Sequence, residues 1–267
     1  MPGQQPSALV SVLRGHVSTV SYGHVVMSRP TGQAVGPYDA AFLPRLQMIF
    51  REPEGPVTQS VTKFGGQPVW LEEPAWPVEP RTGEPLMFVG QFRVPGEEAR
   101  LAYLFLDVEE GGLDPNRGDA VVLVQPGGRV PSFAVIGPPH TQGPSLWRWN
   151  EDEEKIPVEW LVDLAPVPPE LDAEADDHAA WSRYMRHEGP EADLPSGPGP
   201  RDFLGGAPVL PNNSVRDLDD GSWRFLCQFT DRGECPGDPF FINFGYGSGF
   251  VFLSPDHLEG RFMSDCG

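Results

Sequence analysis

The chain has 267 residues, a net charge of −19 and a pI near 4.6. Such a surface repels nucleic-acid backbones and anionic lipid, and suits a neutral or basic protein partner; solubility alone is the plainer use of the same charge. The 31 Gly and 32 Pro would fit a disordered chain, but 7 Trp, 16 Phe and several β-branched runs exclude one and predict a turn-rich, mainly β protein of the α+β type.

In chain order, residues 8–60 carry short β-like runs, "ALVSVL", "VSTVSYGHVVM" and "RLQMIF". "KFGGQPVWL" (63–71) follows, then "LMFVGQF" (86–92) and "LAYLFLDVE" (101–109), which read as strands. "DAVVLVQPGG" (119–128) is a strand ending in a turn, and "PVEWLVDLAPV" (157–167) is a further strand. The one helix predicted is 168–190, with prolines in its first turn and Gly189-Pro190 at its end. Leu171, Ala175, His178, Trp181 and Met185 give it one apolar stripe. "GPEADLPSGPGP" (189–200) is a linker. Residues 151–200 hold 14 acidic and 3 basic side chains, so −11 of the −19 lies there.

Two blocks repeat. "GGQPVW" starts at Gly65 and leads to "FVGQF"; "GGAPVL" starts at Gly205 and leads to "FLCQF". The first Gly and the Gln are 26 residues apart in one block and 23 in the other, and an apolar strand follows each. The expectation is a duplicated β unit forming two related halves with one intervening helix. The segments are 1–150 with the first repeat, 151–200 as an acidic strand-helix connector, and 201–267 with the second repeat, all within one compact domain.

The blocks "KFGGQPVWLEEPAWP", "GEPLMFVGQF" and "INFGYGSGFVFLSPDHLEGRF" resemble the YwqG-like bacterial family of unknown function. The resemblance covers most of the chain from about residue 60 onward. It extends distantly to eukaryotic programmed-cell-death-type chaperones of a ribosomal protein, the proposed peptide-binding TYPP group. It implies a duplicated β-rich fold that binds peptides or proteins, and bacterial members associated with toxin–immunity loci. It carries no catalytic residues. Many relatives have a cysteine pair in the loop that is "VEPRTGEP" (78–85) here, where there is none.

No cofactor, metal or catalytic residue follows from the motifs. A dinucleotide fingerprint needs Gly-x-Gly-x-x-Gly between a strand and a helix. "GGQPVW" instead runs into an extended apolar stretch, and its Pro68 has no amide proton. "GYGSG" (245–249) precedes a strand, and the only lysines are Lys63 and Lys155. Gly65, Gly66, Pro68, Gly205, Gly206 and Pro208 are therefore structural turn residues. Cys227, Cys235, His257 and Cys266 lack tight metal-ligand spacing, and whether they converge is open. Cys227 stands where the first block has Gly90, as a packed small residue does. His16, His24, His140, His178, His187 and His257 show no partner pattern, and no Gly-x-Ser-x-Gly elbow occurs.

The odd cysteine count gives no disulfide framework, no leader pattern opens the chain, and no apolar run is long enough for a bilayer. These features predict a cytoplasmic protein with no membrane or nucleic-acid partner; the oligomeric state is open. Trp70 and Trp76 flank a proline-bent acidic loop, and with Trp223 they are candidate binding aromatics, core packing being the commoner use. Gln91 and Gln228 sit at matching places amid apolar strands. Each ties down its own glycine turn, or the pair lines a shared groove; the first is favoured. The expected function is a non-catalytic protein- or peptide-binding module, toxin-immunity or chaperone-like. The alternative is a hydrolase-type enzyme with a site between the halves.

Overall fold

A computed structural model of the chain describes residues 44–96, 98–107, 119–167, 202–206, 208, 223–232, 238–244 and 247–266, which fall in one compact unit. Its strands, in chain order, are β1 (Leu46–Arg51), β2 (Lys63–Gly65), β3 (Pro77–Val78), β4 (Met87–Arg93), β5 (Leu101–Leu106), β6 (Ala120–Gln125), β7 (Val135–Ile136) and β8 (Trp147–Trp149). They continue with β9 (Lys155–Pro157), β10 (Glu159–Pro166), β11 (Phe203–Leu204), β12 (Arg224–Thr230), β13 (Gly247–Leu253) and β14 (Gly260–Cys266). There is no helix among the described residues. The helix expected at 168–190 lies outside them, as do the runs at 8–27.

Ten strands form one antiparallel sheet in the order β14-β13-β12-β11-β1-β10-β2-β4-β5-β6. The sheet curls until its ends nearly meet. A Cβ on Gly260 of β14 would lie 2.2 Å from Val122 of β6, so only glycine lets the two strands approach this closely. The seam is fastened by the Arg129 amide on the Leu258 carbonyl (2.6 Å) and by Arg129 paired with Asp256 (2.7 Å). β10, which the chain order places in the acidic connector, runs at mid-sheet between β1 and β2.

Two flanks hang from that central pair. On one, Gln91 of β4 lies opposite Lys63 of β2, and β4 carries a bulge between Phe88 and Gly90. On the other, Gln228 of β12 lies opposite Phe203 of β11, and β12 carries a bulge between Phe225 and Cys227.

The enclosed face is the main core. Phe64, Val89, Phe92, Leu104, Val122, Phe229, Phe240 and Phe262 are buried there. Phe64 stacks on Phe240 (5.2 Å, 8°) and meets Phe92 and Phe229 edge-on. β5 and β6 are buried at every position, so their outer face is covered too. That second layer packs Trp76, Phe88, Tyr103, Phe105 and Val121 beneath Val69, Trp70, Leu71 and Phe133. Continuous runs such as "AVVLV" reflect burial on both faces.

The glycine turns differ in tolerance from other positive-φ sites. Gly65 has φ 68°, and a Cβ there would sit 2.2 Å from the Val158 carbonyl oxygen. Gly83 has φ 76° with open space around it. In urea denaturation, Gly83→Ala should cost about 1 kcal/mol, the left-handed penalty alone, and Gly65→Ala at least about 3 kcal/mol.

Candidate functional site

The "KFGG" stretch ends β2 and turns through two left-handed residues, Gly65 at φ 68° and Gly66 at φ 64°. The Gly66 amide donates to the Val158 carbonyl (2.8 Å). A Cβ on Gly66 would lie 2.2 Å from Glu159 Oε1, so this carboxylate rests where any other residue would put its side chain. Lys63, fully buried, donates its ammonium to that same Glu159 oxygen and to the Gln67 carbonyl (2.6 Å). Burial lowers the Lys63 pKa, and Glu159 opposes the shift. The glycine turn thus packs against an anion supplied by the chain itself.

The second turn repeats the backbone with other side chains. Gly205 and Gly206 have φ 76° and 69°, and the Gly205 amide donates to Leu226 (2.8 Å). Phe203 stands at the register place of Lys63, with the Arg45 guanidinium 4.5 Å above its ring. A Cβ on Gly206 would come within 2.9 Å of Arg45. Pro68 and Pro208 are both buried.

Gln91 is buried and clips the chain on both sides of its turn. Its amide donates to the Val61 carbonyl (2.9 Å), and its oxygen accepts the Val69 amide (2.8 Å). Tyr103 and Gln125, which the sequence did not single out, continue the clip. The Tyr103 hydroxyl donates to Val69 O (2.8 Å), and Gln125 Oε1 accepts the Leu71 and Glu72 amides (3.0 and 3.1 Å). Each is a polar group inside an apolar strand, the same signal that marked Gln91. Gln228 is buried on the other flank.

Trp70, Trp76 and Trp223 do not form one surface. Trp76 is fully buried, and its indole N–H donates to Leu86 O (2.8 Å). Trp70 is half-buried over Phe105 (6.1 Å, 14°) and Tyr103 (5.1 Å), completing the outer layer. Trp223 shares the Arg261 guanidinium with Phe133 of that layer, at 5.3 Å from its own ring and 4.5 Å from that of Phe133.

Cys227 is buried in the main core; burial pushes the thiol far up, and the Val251 amide opposes the shift. His257 sits in the β13–β14 turn at φ 57°, its pKa lowered by burial and by Arg224 and Arg100. Cys235 lies outside the described residues, as does the Cys266 side chain. No group of three or more His, Cys, Asp or Glu is placed to hold a metal among the described residues, and no helix there is long and apolar enough to cross a membrane.

The β8–β9 hairpin builds an aromatic corner at the surface. Trp147 stacks on Phe241 (4.7 Å, 12°), and Trp149 meets Trp147 edge-on (4.8 Å, 76°). Trp149 is 46% exposed. The Lys155 ammonium lies 4.3 Å from the Trp147 ring centre and 5.7 Å from that of Trp149. The turn between the strands, Glu151–Glu154, presents four exposed carboxylates. Asn150 Oδ1 fixes it by accepting the amides of Asp152 (3.0 Å) and Glu154 (2.8 Å). The Phe241 amide on Trp147 O (2.7 Å) ties the hairpin to the segment 238–244, and the Trp160 indole on Pro239 O (2.7 Å) ties that segment to β10. Trp147 and Trp149 are visible in the sequence as "WRW", but nothing there marks Lys155 or Phe241 as their partners.

No family model matches the chain, and no curated protein or solved structure does either.

Two outcomes test this chemistry. Peptide mapping after iodoacetamide treatment should find Cys227 unmodified in the folded protein and fully alkylated in urea, since the thiolate is the reactive form. Burial holds the Tyr103 hydroxyl neutral well above its ordinary value of 10.0. This contribution is therefore full below pH 10 and is lost as the unfolded chain ionises above it. Stability should fall with a component of about 1.4 kcal/mol per pH unit above about pH 10, and Tyr103→Phe should remove that component in urea titrations.

Proposed function

We propose that the chain is a non-catalytic protein- or peptide-binding module, acting in the cytoplasm in a toxin-immunity or chaperone-like role. The observation that carries this reading is the β8–β9 corner, where Trp147, Trp149 and Phe241 are clustered by a pinned hairpin and Trp149 stays open to water. Rigid, half-exposed tryptophans beside polar groups are the usual anchors of protein interfaces. The buried polar side chains support the same view. Gln91, Tyr103 and Gln125 bond the chain's own backbone, and Lys63 pairs with Glu159. Cys227 faces core residues, which gives the hydrolase alternative no support.

The resemblance to the YwqG-like family points the same way. So does an origin by duplication, which we infer from the matched turns Gly65-Gly66 and Gly205-Gly206, the matched Gln91 and Gln228 registers, and the bulge at the same step of β4 and β12. A mechanism of this kind is occlusion or sheltering of a partner segment, with the acidic surface drawing a basic one in.

The test is affinity capture from native cytosol in mild salt, followed by mass spectrometry. A stoichiometric protein partner released by high salt is the expected result. Capture of none, with hydrolysis of ester or peptide substrates by the purified chain, would replace the binding reading with the enzymatic one.

A further inference from the structure

We propose that the Trp147–Trp149 corner is a receptor for an arginine side chain of a basic peptide segment, and that Lys155 occupies it as an internal stand-in until the peptide displaces it. The inference rests on the peptide-binding reading and assigns it a site.

Three observations carry it. The corner already holds a cation: the Lys155 ammonium lies 4.3 Å from the Trp147 ring centre and 5.7 Å from Trp149. Cations are attracted to the negative faces of indoles, and tryptophan is the strongest of the aromatic receptors. Next, the occupant is removable. Lys155 is exposed, sits on a flexible four-carbon stem, and leaves with little burial lost. The Trp147 wall is fixed instead, by its stack on Phe241 and by its carbonyl bond to the Phe241 amide. Finally, the charge around the corner selects a multiply basic ligand. Glu151, Asp152, Glu153 and Glu154 are all exposed in the turn joining the two strands, and Asn150 holds that turn in one shape.

Arginine is the better competitor for this place. Its guanidinium is planar, stacks on an indole face and is more weakly hydrated than an ammonium. The carboxylates of the turn can then pair with neighbouring basic residues of the same peptide, raising the encounter rate and the salt sensitivity.

The experiment uses the full chain and fluorescein-labelled peptides of alternating arginine and glycine, alternating lysine and glycine, and alternating glutamine and glycine. Binding is read by fluorescence anisotropy at low and moderate salt. The arginine peptide should bind more tightly than the lysine peptide, and the glutamine peptide should not bind. Trp149→Ala keeps the net charge and should weaken arginine-peptide binding on the order of fivefold or more. Lys155→Gln should tighten it severalfold, a gain that misfolding does not produce; Arg81→Gln, which removes one positive charge elsewhere, should leave it nearly unchanged. Equal affinity of the wild type and Trp149→Ala would overturn the proposal, because the binding would then be bulk attraction to an acidic protein. So would an absence of binding, or equal gains from Lys155→Gln and Arg81→Gln. Should Trp149→Ala still capture the cytosolic partner in full, the corner is excluded while the binding function stands.

Discussion

A strand that is buried on both faces requires a second layer of chain over it, and that layer brings backbone N–H and C=O groups into a dry place. β4, β5 and β6 impose this requirement on the rest of one flank. The cover comes from residues 69–73, which form no regular ladder with the sheet, so side chains must supply their hydrogen bonds. Gln91, Tyr103 and Gln125 rise from three adjacent strands to do so. The glycine turn at Gly65-Gly66 matters because it directs the chain from β2 over this face. Trp70 and Trp76 then seal the layer.

Much of the architecture could be read from residue patterns. The runs at 45–50, 86–92, 101–109, 119–128 and 157–167 each hold a strand, because apolar β-branched and aromatic residues bounded by Gly and Pro have few other uses. Pairing order was not readable. β10 joins β1 across more than a hundred residues of sequence, and no local pattern specifies a partner that distant. The candidate aromatics show the same limit. Composition marks a tryptophan as large and amphipathic, but not which side of it faces water. Trp76 entered the core because Leu86 offers its indole a carbonyl there. Trp149 stands in a separate two-stranded hairpin, outside the ten-stranded sheet, and is exposed.

The two glycine turns show how one backbone shape accommodates opposite chemistry. Over Gly66 lies a carboxylate, Glu159, paired with buried Lys63. Over Gly206 lies Arg45, stacked on Phe203. The turn fixes φ at both glycines and leaves room beside the second for a charged group. The charge that fills this space is free to change, provided that its partner in the neighbouring strand changes with it. An ion pair on one flank and a cation–aromatic contact on the other both satisfy a charge that is largely removed from water.

The near closure of the sheet bears on how the molecule can meet other chains. An open sheet ends in a row of unpaired amides and carbonyls, on which any extended polypeptide can add a strand, whether ligand or aggregate. Here β14 and β6 turn those rows toward one another, with Gly260 against Val122 and the Arg129–Asp256 pair across the seam. Backbone templating, which accepts almost any sequence, is thereby shielded. Any contact with another chain then falls to side chains on the outside of the curled sheet, whose shape and charge discriminate among sequences. For an acidic protein in a crowded solution, that shielding is also a safeguard against fibre-like self-association.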